Sequence, residues 1–354
     1  MLYCVLADSS FRIVSRCGLT WLECTAFAEF PWLVQAFSTR SAPDSASRAT
    51  GRGGIRDFHL GYAGGASPRS VEANRRQFRA ALGGRWIPAS LRQIHSAIVY
   101  QVVRAQSDGS VKDQTERDKA FEYRPAGWPM PPQRRSGEAG LLAASSSGSD
   151  RRGPEKGDAP AGDALVTAEP GVLLSVRTAD CLPLLLVDTK LRVIAAVHAG
   201  WRGALARVIE KTVGELCRMF GSAPEDLVAA VGPAIGACCY EVGDEVVDAF
   251  GAQFIECDSF FRRPARGKGV EQLRASYSLL FHTQAPPGHR RERANLHLDL
   301  AAVAHAQLAD AGLKPTAIHH SGYCTACRAD LFFSYRRDGP QAGRMMAVIG
   351  MRKL

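Results

Sequence analysis

The 354-residue sequence contains no apolar run that approaches the roughly 18 residues of a membrane-spanning helix. We therefore expect no membrane partner. The first 28 residues also lack a basic start that leads into a continuous apolar stretch, so the sequence predicts no secretory signal. Both absences favour a cytoplasmic protein over an exported one.

The 10 cysteines lack the pattern of a disulfide framework. Disulfide-dense chains are typically short and secreted, whereas this chain is long. The pairs Cys238-Cys239 and Cys324-x-x-Cys327 also lack the spacing of cysteines in a disulfide framework. The simpler inference is a reducing compartment, which agrees with a cytoplasmic location.

The net charge of +9 raises the question of nucleic-acid binding. Basic residues cluster at 262–268 and 290–293, but Pro and Gly surround them instead of the aromatic platforms on which bases stack. We therefore predict solvated loops and no nucleic-acid partner. A basic surface still attracts phosphate-bearing substrates by long-range electrostatics.

We expect one catalytic domain, 29–354, preceded by an N-terminal extension, 1–28, a boundary that rests on the family resemblance described below. Three irregular segments within the domain are predicted to be insertions, 41–56, 107–162 and 262–294. The longest is rich in Ser, Gly, Pro and Arg without a strand or helical period, so we expect it to be disordered. Blocks with metal-binding residue types lie on both sides of it, which argues against a domain boundary there.

Short apolar runs alternate with amphipathic helical patterns between these insertions. The runs at 172–176, 182–187 and 193–198 are typical of strands that are buried on both faces. Helices are predicted over 205–220, from its apolar stripe, and from about Asp299, a residue type that caps helices. Further strands are predicted at 227–231, 317–320, 332–335 and 345–349. The fold class is therefore α/β, or α+β, with a mixed β-sheet and packed helices in a single domain.

Two histidines and a cysteine adjoin apolar, strand-like runs in three separate segments: His95, Cys181 and His198. Because strand termini can converge in space, these residues predict one site. Two imidazoles and a thiolate suit a borderline-soft metal ion, and three protein ligands leave a fourth position open, as in catalytic zinc sites. The same residues fit a cysteine nucleophile with a histidine base. Both interpretations remain open at this point.

Five ordered blocks of the sequence resemble the YfiH-type laccase-domain family: QIHSA, GDALVTAEPGVLLSVRTADCLPLLLVD, AAVHAGWRGALARVI, VGPAIGACCYEVGDEV and GYCTACRADLFFSYRRDG. This family was first described as polyphenol oxidoreductases, or laccases, and is now associated with zinc-dependent purine nucleoside phosphorylase activity. The resemblance runs from about Phe30 to the C-terminus and implies a YfiH-like α/β domain of complex topology.

The resemblance makes His95, Cys181 and His198 the zinc ligands, with copper as the alternative metal. Three further residues are predicted to be catalytic: Asp180, Arg202 and Arg40. Asp180 could orient a ligand histidine or carry a proton, because metal-bound imidazoles usually donate their other N–H to a carboxylate or carbonyl. The two arginines have planar guanidinium groups that suit phosphate.

Four residues are predicted to bind substrate: Asn74, Arg336, Arg337 and Cys239. Asn74 matches a family position in the helical segment VEANRRQF, and the two arginines of FSYRRD are further phosphate candidates. Cys239 follows the loop GPAIGA, where glycines allow close backbone approach to a ligand. Each position also has a structural alternative: a helix-surface amide, a surface salt bridge or loop packing.

The resemblance implies phosphorolysis of adenosine, inosine, guanosine and 5′-methylthioadenosine by phosphate, with deamination of adenosine as a second activity, in a monomer or homodimer. A dedicated laccase is not expected, because the nine histidines include no His-x-His pair from which a trinuclear copper centre is typically built. A copper-linked polyphenol oxidase, a Cys/His thiol hydrolase and a non-catalytic zinc protein remain as alternatives.

Overall fold

The computed structural model describes residues 10–43, 55–104, 121–127, 159–263 and 296–353. The strands are β1 Phe11–Arg16, β2 Leu19–Cys24, β3 Leu33–Ser38, β4 Ser41–Pro43, β5 Ile55–Asp57, β6 Ile87–Ser90, β7 Val99–Arg104, β8 Phe121–Pro125, β9 Ala164–Thr167, β10 Val172–Thr178, β11 Leu182–Asp188, β12 Val193–Ala199, β13 Leu227–Val231, β14 Phe261–Arg262, β15 His297–Leu298, β16 Ile318–His320 and β17 Met345–Met351. The helices are α1 Pro68–Leu82, α2 Trp201–Leu205, α3 Val208–Phe220, α4 Asp244–Gln253, α5 Leu300–Asp310 and α6 Tyr335–Asp338. Over these described ranges, no helix is both long and apolar enough to cross a membrane.

A six-stranded sheet contains the N-terminal strands, in the order β1-β2-β3-β17-β10-β6. All its pairs are antiparallel except β10 with β6. The strand β2 pairs with β3, and Trp21 and Leu22 are buried in the core. Residues 11–24 of the predicted N-terminal extension, 1–28, therefore form two strands that complete this sheet.

A seven-stranded sheet, in the order β16-β13-β11-β12-β9-β7-β8, contains the strands that carry the candidate ligands. It is also mixed, because β13 pairs with β16 and β7 with β9 in parallel, while the other pairs are antiparallel. Along β11, Leu182, Leu184 and Leu186 face the helices and Leu185 and Val187 face the other sheet. A strand covered on both faces reads as a continuous apolar run, as the sequence predicted.

The two sheets pack face to face and helices cover both outer sides, which gives four layers. Side chains from both sheets share one core, to which Phe37, Leu174 and Ile349 contribute from one sheet and Leu185 and Ile194 from the other. Helices α2, α3 and α5 pack on the outer face of the seven-stranded sheet, and α1 packs on the outer face of the six-stranded sheet. The predicted α/β class with a mixed sheet is confirmed, although there are two mixed sheets.

Two local predictions need correction. The insertion 107–162, predicted to be disordered, contains β8, which pairs antiparallel with β7 and packs Phe121 and Tyr123 against the core. Residues 107–120 and 128–158 lie outside the described residues. The segment 332–335 is not a strand. Its Phe332 N–H bonds to the carbonyl of Arg328 in a local turn instead of a sheet ladder.

The other two predicted insertions are described only in part. The segment 41–56 begins with β4 and ends in β5, and these strands pair with each other. Residues 44–54, like 264–295 of the third insertion, lie outside the described residues. The predicted cap at Asp299 is confirmed, because its side chain accepts a hydrogen bond from Ala302 N at 3.1 Å.

Candidate metal centre

His95, Cys181 and His198 converge at one end of the seven-stranded sheet. In the antiparallel pair β11–β12, Leu182 lies opposite Ala199, which brings the preceding Cys181 beside the end of β12 that carries His198. His95 enters from the loop between β6 and β7. Its Nε2 lies 3.6 Å from Cys181 Sγ, and one ligand atom from each of the three residues lies within 4.8 Å of the others.

Asp163 connects two of these side chains. It lies just before β9, fully buried, and its Oδ1 is 2.9 Å from His198 Nδ1 and accepts the His95 backbone N–H at 3.0 Å. Its Oδ2 accepts the backbone N–H groups of Ile94 and Ser96 and the Ser96 hydroxyl. A single carboxylate therefore fixes the His198 ring and the loop of His95, and leaves His198 Nε2 available to a metal ion.

The electrostatics of the site favour the ligand form of the cysteine. Burial by itself would raise the pKa of the Cys181 thiol, but the charge of His198 and hydrogen bonds to both histidines lower that pKa to about 6. Burial would lower the pKa of His198, but Cys181 and Asp163 raise it to about 9. Without a metal ion, the arrangement is thus a thiolate beside an imidazolium near neutral pH.

Backbone geometry brings the ligands close together. His95 and Asp180 adopt positive φ values of 59° and 96°, which is uncommon for residues other than glycine. At Gly200, before α2, a Cβ atom would lie 2.7 Å from His95 Cδ2 and 3.0 Å from Cys181 Sγ. The site therefore needs a glycine at this position, since any side chain would push against two of the three ligands.

The donor set fits a catalytic zinc ion. Two imidazoles and a thiolate are typical zinc ligands, and three protein ligands leave a position for water or substrate. His198 is buried, Cys181 half-buried and His95 exposed, so the site opens to solvent on the side of His95. The histidine-orienting carboxylate that usually accompanies such sites is present as Asp163.

Asp180, predicted to orient a ligand histidine, makes different contacts. Its Oδ1 accepts the Thr325 hydroxyl and its Oδ2 accepts the Arg336 backbone N–H, both at 2.6 Å. Its backbone carbonyl accepts Ile235 N–H at 2.9 Å. The orienting role therefore belongs to Asp163, and Asp180 instead joins the loop of Cys181 to two other loops.

Two of the predicted phosphate-binding arginines are occupied by protein partners. The Arg40 guanidinium is paired with the carboxylate of Asp57 at 2.9 Å and also donates to the Ala329 carbonyl. All five N–H groups of Arg337 are used, by the carboxylate of Asp338 and by three backbone carbonyls. Arg337 therefore organises its own loop, and its role as a substrate ligand stays a prediction.

The guanidinium groups of Arg202 and Arg336 are more accessible. Both residues are exposed, and they stack on aromatic rings, Arg202 on Trp201 at 4.2 Å and Arg336 on Tyr240 at 5.3 Å. Arg336 also donates to the Glu241 carbonyl. Burial raises the pKa of Tyr240, and the charges of Cys181 and Asp180 raise it further, whereas Arg336 and Arg202 lower it. Tyr240 therefore lies within electrostatic range of the thiolate and of both arginines.

The last two predicted substrate ligands make contacts of a different kind. Asn74 is buried at 3% exposure and its side-chain amide donates to the His59 carbonyl, so it is not on the helix surface. Cys239 lies 3.4 Å, Sγ to Sγ, from Cys327 in a cluster of four cysteines. Neither contact provides a link to the three candidate ligands.

Sequence reasoning missed Asp163 and Tyr240. Asp163 begins the segment DALVT and immediately precedes a buried strand. Such an acidic residue can be predicted to orient a ligand histidine once the neighbouring strand is known to end in one. Tyr240 follows the glycine-containing loop after β13, where only the three-dimensional arrangement brings it near Cys181.

A family model described as multi-copper polyphenol oxidoreductase laccase matches residues 35–352. Among curated proteins, the chain is 42% identical over 190 residues to a purine nucleoside phosphorylase of Deinococcus radiodurans, which covers 54% of this chain and 61% of that protein. It is 39% identical over 188 residues to adenosine deaminase RL5 of an unknown prokaryotic organism, which covers 53% of this chain and 61% of that protein. The matched region thus spans about three fifths of the length of these relatives.

Solved structures show the same fold. YlmD from Geobacillus stearothermophilus is 26% identical, with a TM-score of 0.64 over 96% of this chain and 99% of that one. The hypothetical protein YfiH of Bacillus licheniformis gives a TM-score of 0.65 at 22% identity, over 98% of this chain and 100% of that one. This agreement is in the fold, over almost the whole length of each chain.

Proposed function

The chain belongs to the multi-copper polyphenol oxidoreductase laccase family, and from this premise we propose that it is a zinc-dependent purine nucleoside phosphorylase. The proposed substrates are adenosine, inosine, guanosine and 5′-methylthioadenosine. The proposed location is the cytoplasm. Relatives named purine nucleoside phosphorylase support it at the level of the reaction. One relative named adenosine deaminase supports deamination of adenosine as a second activity.

One observation carries the proposal: three metal-ligand atoms lie within 4.8 Å of one another, and the buried Asp163 fixes the ring of His198. His95, Cys181 and His198 would hold the zinc ion, which would supply Lewis-acid positive charge on the solvent side of the site. The protein holds the thiol as a thiolate, because the pKa of Cys181 is lowered to about 6.

The arginines near the site would bind phosphate. Phosphorolysis requires phosphate to be held against C1′ of the ribose, and guanidinium forks meet phosphate oxygens two at a time. Arg202 and Arg336 are exposed and stack on aromatic rings, which limits the freedom of their guanidinium groups. Arg40 could bind phosphate as well only if its guanidinium released the carboxylate of Asp57.

Tyr240 would act on the purine side of the reaction. Its pKa is raised by burial, so the phenol stays protonated and can donate a hydrogen bond to a heteroatom of the departing base. Asp180 would position this region, because its carboxylate holds Thr325 and the backbone of Arg336. In this arrangement Asp180 keeps the arginine in place and exchanges no proton with the substrate.

The test uses purified, zinc-loaded protein and its Cys181→Ala variant, incubated with each nucleoside with and without phosphate. Free base and ribose 1-phosphate are followed by chromatography, and inosine formation from adenosine is followed separately. The expected result is phosphate-dependent release of base that the variant lacks. Cys217→Ala, a change on the helix α3, is the matched control and should keep the activity.

Two alternatives give different results in the same assay. A thiol hydrolase that uses Cys181 and His198 would need no phosphate and would survive removal of metal by a chelator. A copper-linked polyphenol oxidase would oxidise phenols in copper-loaded protein. In the described residues, the groups of three or more potential ligands are the His95 site and a cluster of cysteines, with no histidine-rich trinuclear centre. Nucleoside cleavage absent under every condition would contradict the proposal.

A further inference from the structure

Four cysteines form a second cluster, which the proposed reaction does not use. Cys238 and Cys239 lie in the loop after β13, and Cys324 and Cys327 lie in the loop after β16. The strands β13 and β16 are parallel neighbours, so both loops leave the same edge of the sheet. Residues about 90 positions apart in sequence are thereby brought together.

The distances between the sulfur atoms fit one tetrahedral ion. Cys327 Sγ lies 3.5 Å from Cys238 Sγ and 3.4 Å from Cys239 Sγ, and all four sulfur atoms lie within 4.8 Å of one another. Zn–S bonds of about 2.3 Å in a tetrahedron place neighbouring sulfur atoms about 3.8 Å apart. A disulfide would require about 2.05 Å, so the arrangement is that of ligands around a common centre.

The backbone around the cluster is arranged as in a thiolate metal site. Cys324 is buried, and its Sγ accepts the Gly236 N–H at 3.2 Å. The two loops are tied by further backbone hydrogen bonds, Thr325 N–H to the Ala234 carbonyl and Ala234 N–H to the Tyr323 carbonyl. Backbone N–H donors orient metal-bound sulfur atoms and offset their charge.

We propose that Cys238, Cys239, Cys324 and Cys327 bind a structural zinc ion that cross-links the two loops. Four cysteines close the coordination shell, so this ion has no open position for substrate. Its role is to fix the loops that hold Asp180, through the Thr325 hydroxyl from one loop and the Ile235 N–H from the other. The ion thereby stabilises the region next to Cys181 without taking part in the reaction.

The test measures zinc per chain by mass spectrometry in full-length protein that is purified with a phosphine reductant and freed of loosely bound metal. Four proteins are compared: wild type, Cys181→Ala, Cys327→Ser and the control Cys17→Ser, which changes an exposed cysteine at the turn after β1. We expect two zinc ions in wild type and control, and one in each of the other two variants.

A second measurement does not depend on whether Cys327→Ser folds. Among the described residues of Cys181→Ala, the four-cysteine cluster is the site that offers several sulfur ligands. Cobalt(II) added to metal-free Cys181→Ala should therefore give the sulfur-to-metal charge-transfer bands and the intense visible bands of a tetrahedral tetrathiolate. Absence of these bands would overturn the proposal. So would Cys181→Ala protein that contains no zinc as purified. Because the readouts are metal content and absorption, they are independent of whether nucleosides are cleaved.

Discussion

Replacing Asp163 with Asn tests whether this carboxylate holds the metal centre together. The two oxygen atoms accept five hydrogen bonds, two on Oδ1 and three on Oδ2. An amide keeps one oxygen and turns the other into a donor. If the amide NH₂ replaces Oδ1, the His198 ring and the His95 N–H lose their acceptor. If it replaces Oδ2, the three donors from Ile94 and Ser96 lose theirs.

The expected loss follows from that count. Unsatisfied buried donors cost about 1–3 kcal/mol each, so loss of the smaller set of two should lower the unfolding free energy of metal-free Asp163→Asn by about 2–6 kcal/mol. Loss of a carboxylate that orients a metal-bound histidine typically weakens metal binding about 10- to 100-fold, or about 1.4–2.7 kcal/mol. Both effects are measurable on one preparation, by urea unfolding and by zinc competition with a fluorescent chelator.

Asp188→Asn is the matched control for this experiment. Asp188 is also buried, at 1% exposure, and accepts two backbone N–H groups, but it lies at the end of β11 remote from Cys181. An asparagine keeps the oxygen that accepts both N–H groups, and the change should leave the zinc affinity unchanged. If Asp163→Asn bound zinc as tightly as Asp188→Asn does, the proposed coupling between Asp163 and the metal ligands would be refuted.

Three further changes have outcomes that the structure defines. Gly200→Ala should weaken zinc binding and slow nucleoside cleavage, because its Cβ would lie 3.0 Å from Cys181 Sγ. The control Gly214→Ala has nothing within 4 Å of its Cβ and should leave both properties unchanged. Equal zinc affinities of the two variants would contradict this prediction. Arg337→Ala should lower the unfolding free energy by about 1–2 kcal/mol, since its partly exposed guanidinium makes five hydrogen bonds; an unchanged urea midpoint would oppose it. The pKa of Asp163 is lowered, because hydrogen bonds and the charge of His198 outweigh burial, so its contribution to stability is present above about pH 4 and is lost as the pH falls through its folded-state pKa. Metal-free protein should therefore lose stability more steeply on acidification than Asp163→Asn, and parallel pH curves would refute this.

Two residues of the candidate metal centre, Cys181 and His198, were identifiable from the sequence because they lie at strands that are buried along their whole length. In β11 and β12 every side chain is buried, and such runs are visible without a structure. Where these runs end, a histidine or cysteine stands out. The chemistry of the ligand set then limited the metal to a borderline-soft ion.

The partners of the charged residues were not identifiable in the same way. Arg40 and Asp57 are 17 positions apart and pair across β4 and β5, and Asp163 reaches His95 from a segment 68 positions away. Such pairings depend on how strands align and loops close. The sequence shows only that an arginine or aspartate is available. It does not show that the side chains of Arg40, Arg337 and Asp180 are already engaged by other protein groups.

The sequence by itself determined the α/β class, the strands buried on both faces and the three ligand types, because hydrophobic periodicity and donor chemistry are local properties of the chain. Only the tertiary structure decided that two sheets stack, that residues 11–24 complete one of them, and that Asp163 orients His198. It also decided that four cysteines from two loops meet. These features arise from pairing and packing between distant segments, whose energies depend on the whole fold and not on any one stretch of sequence.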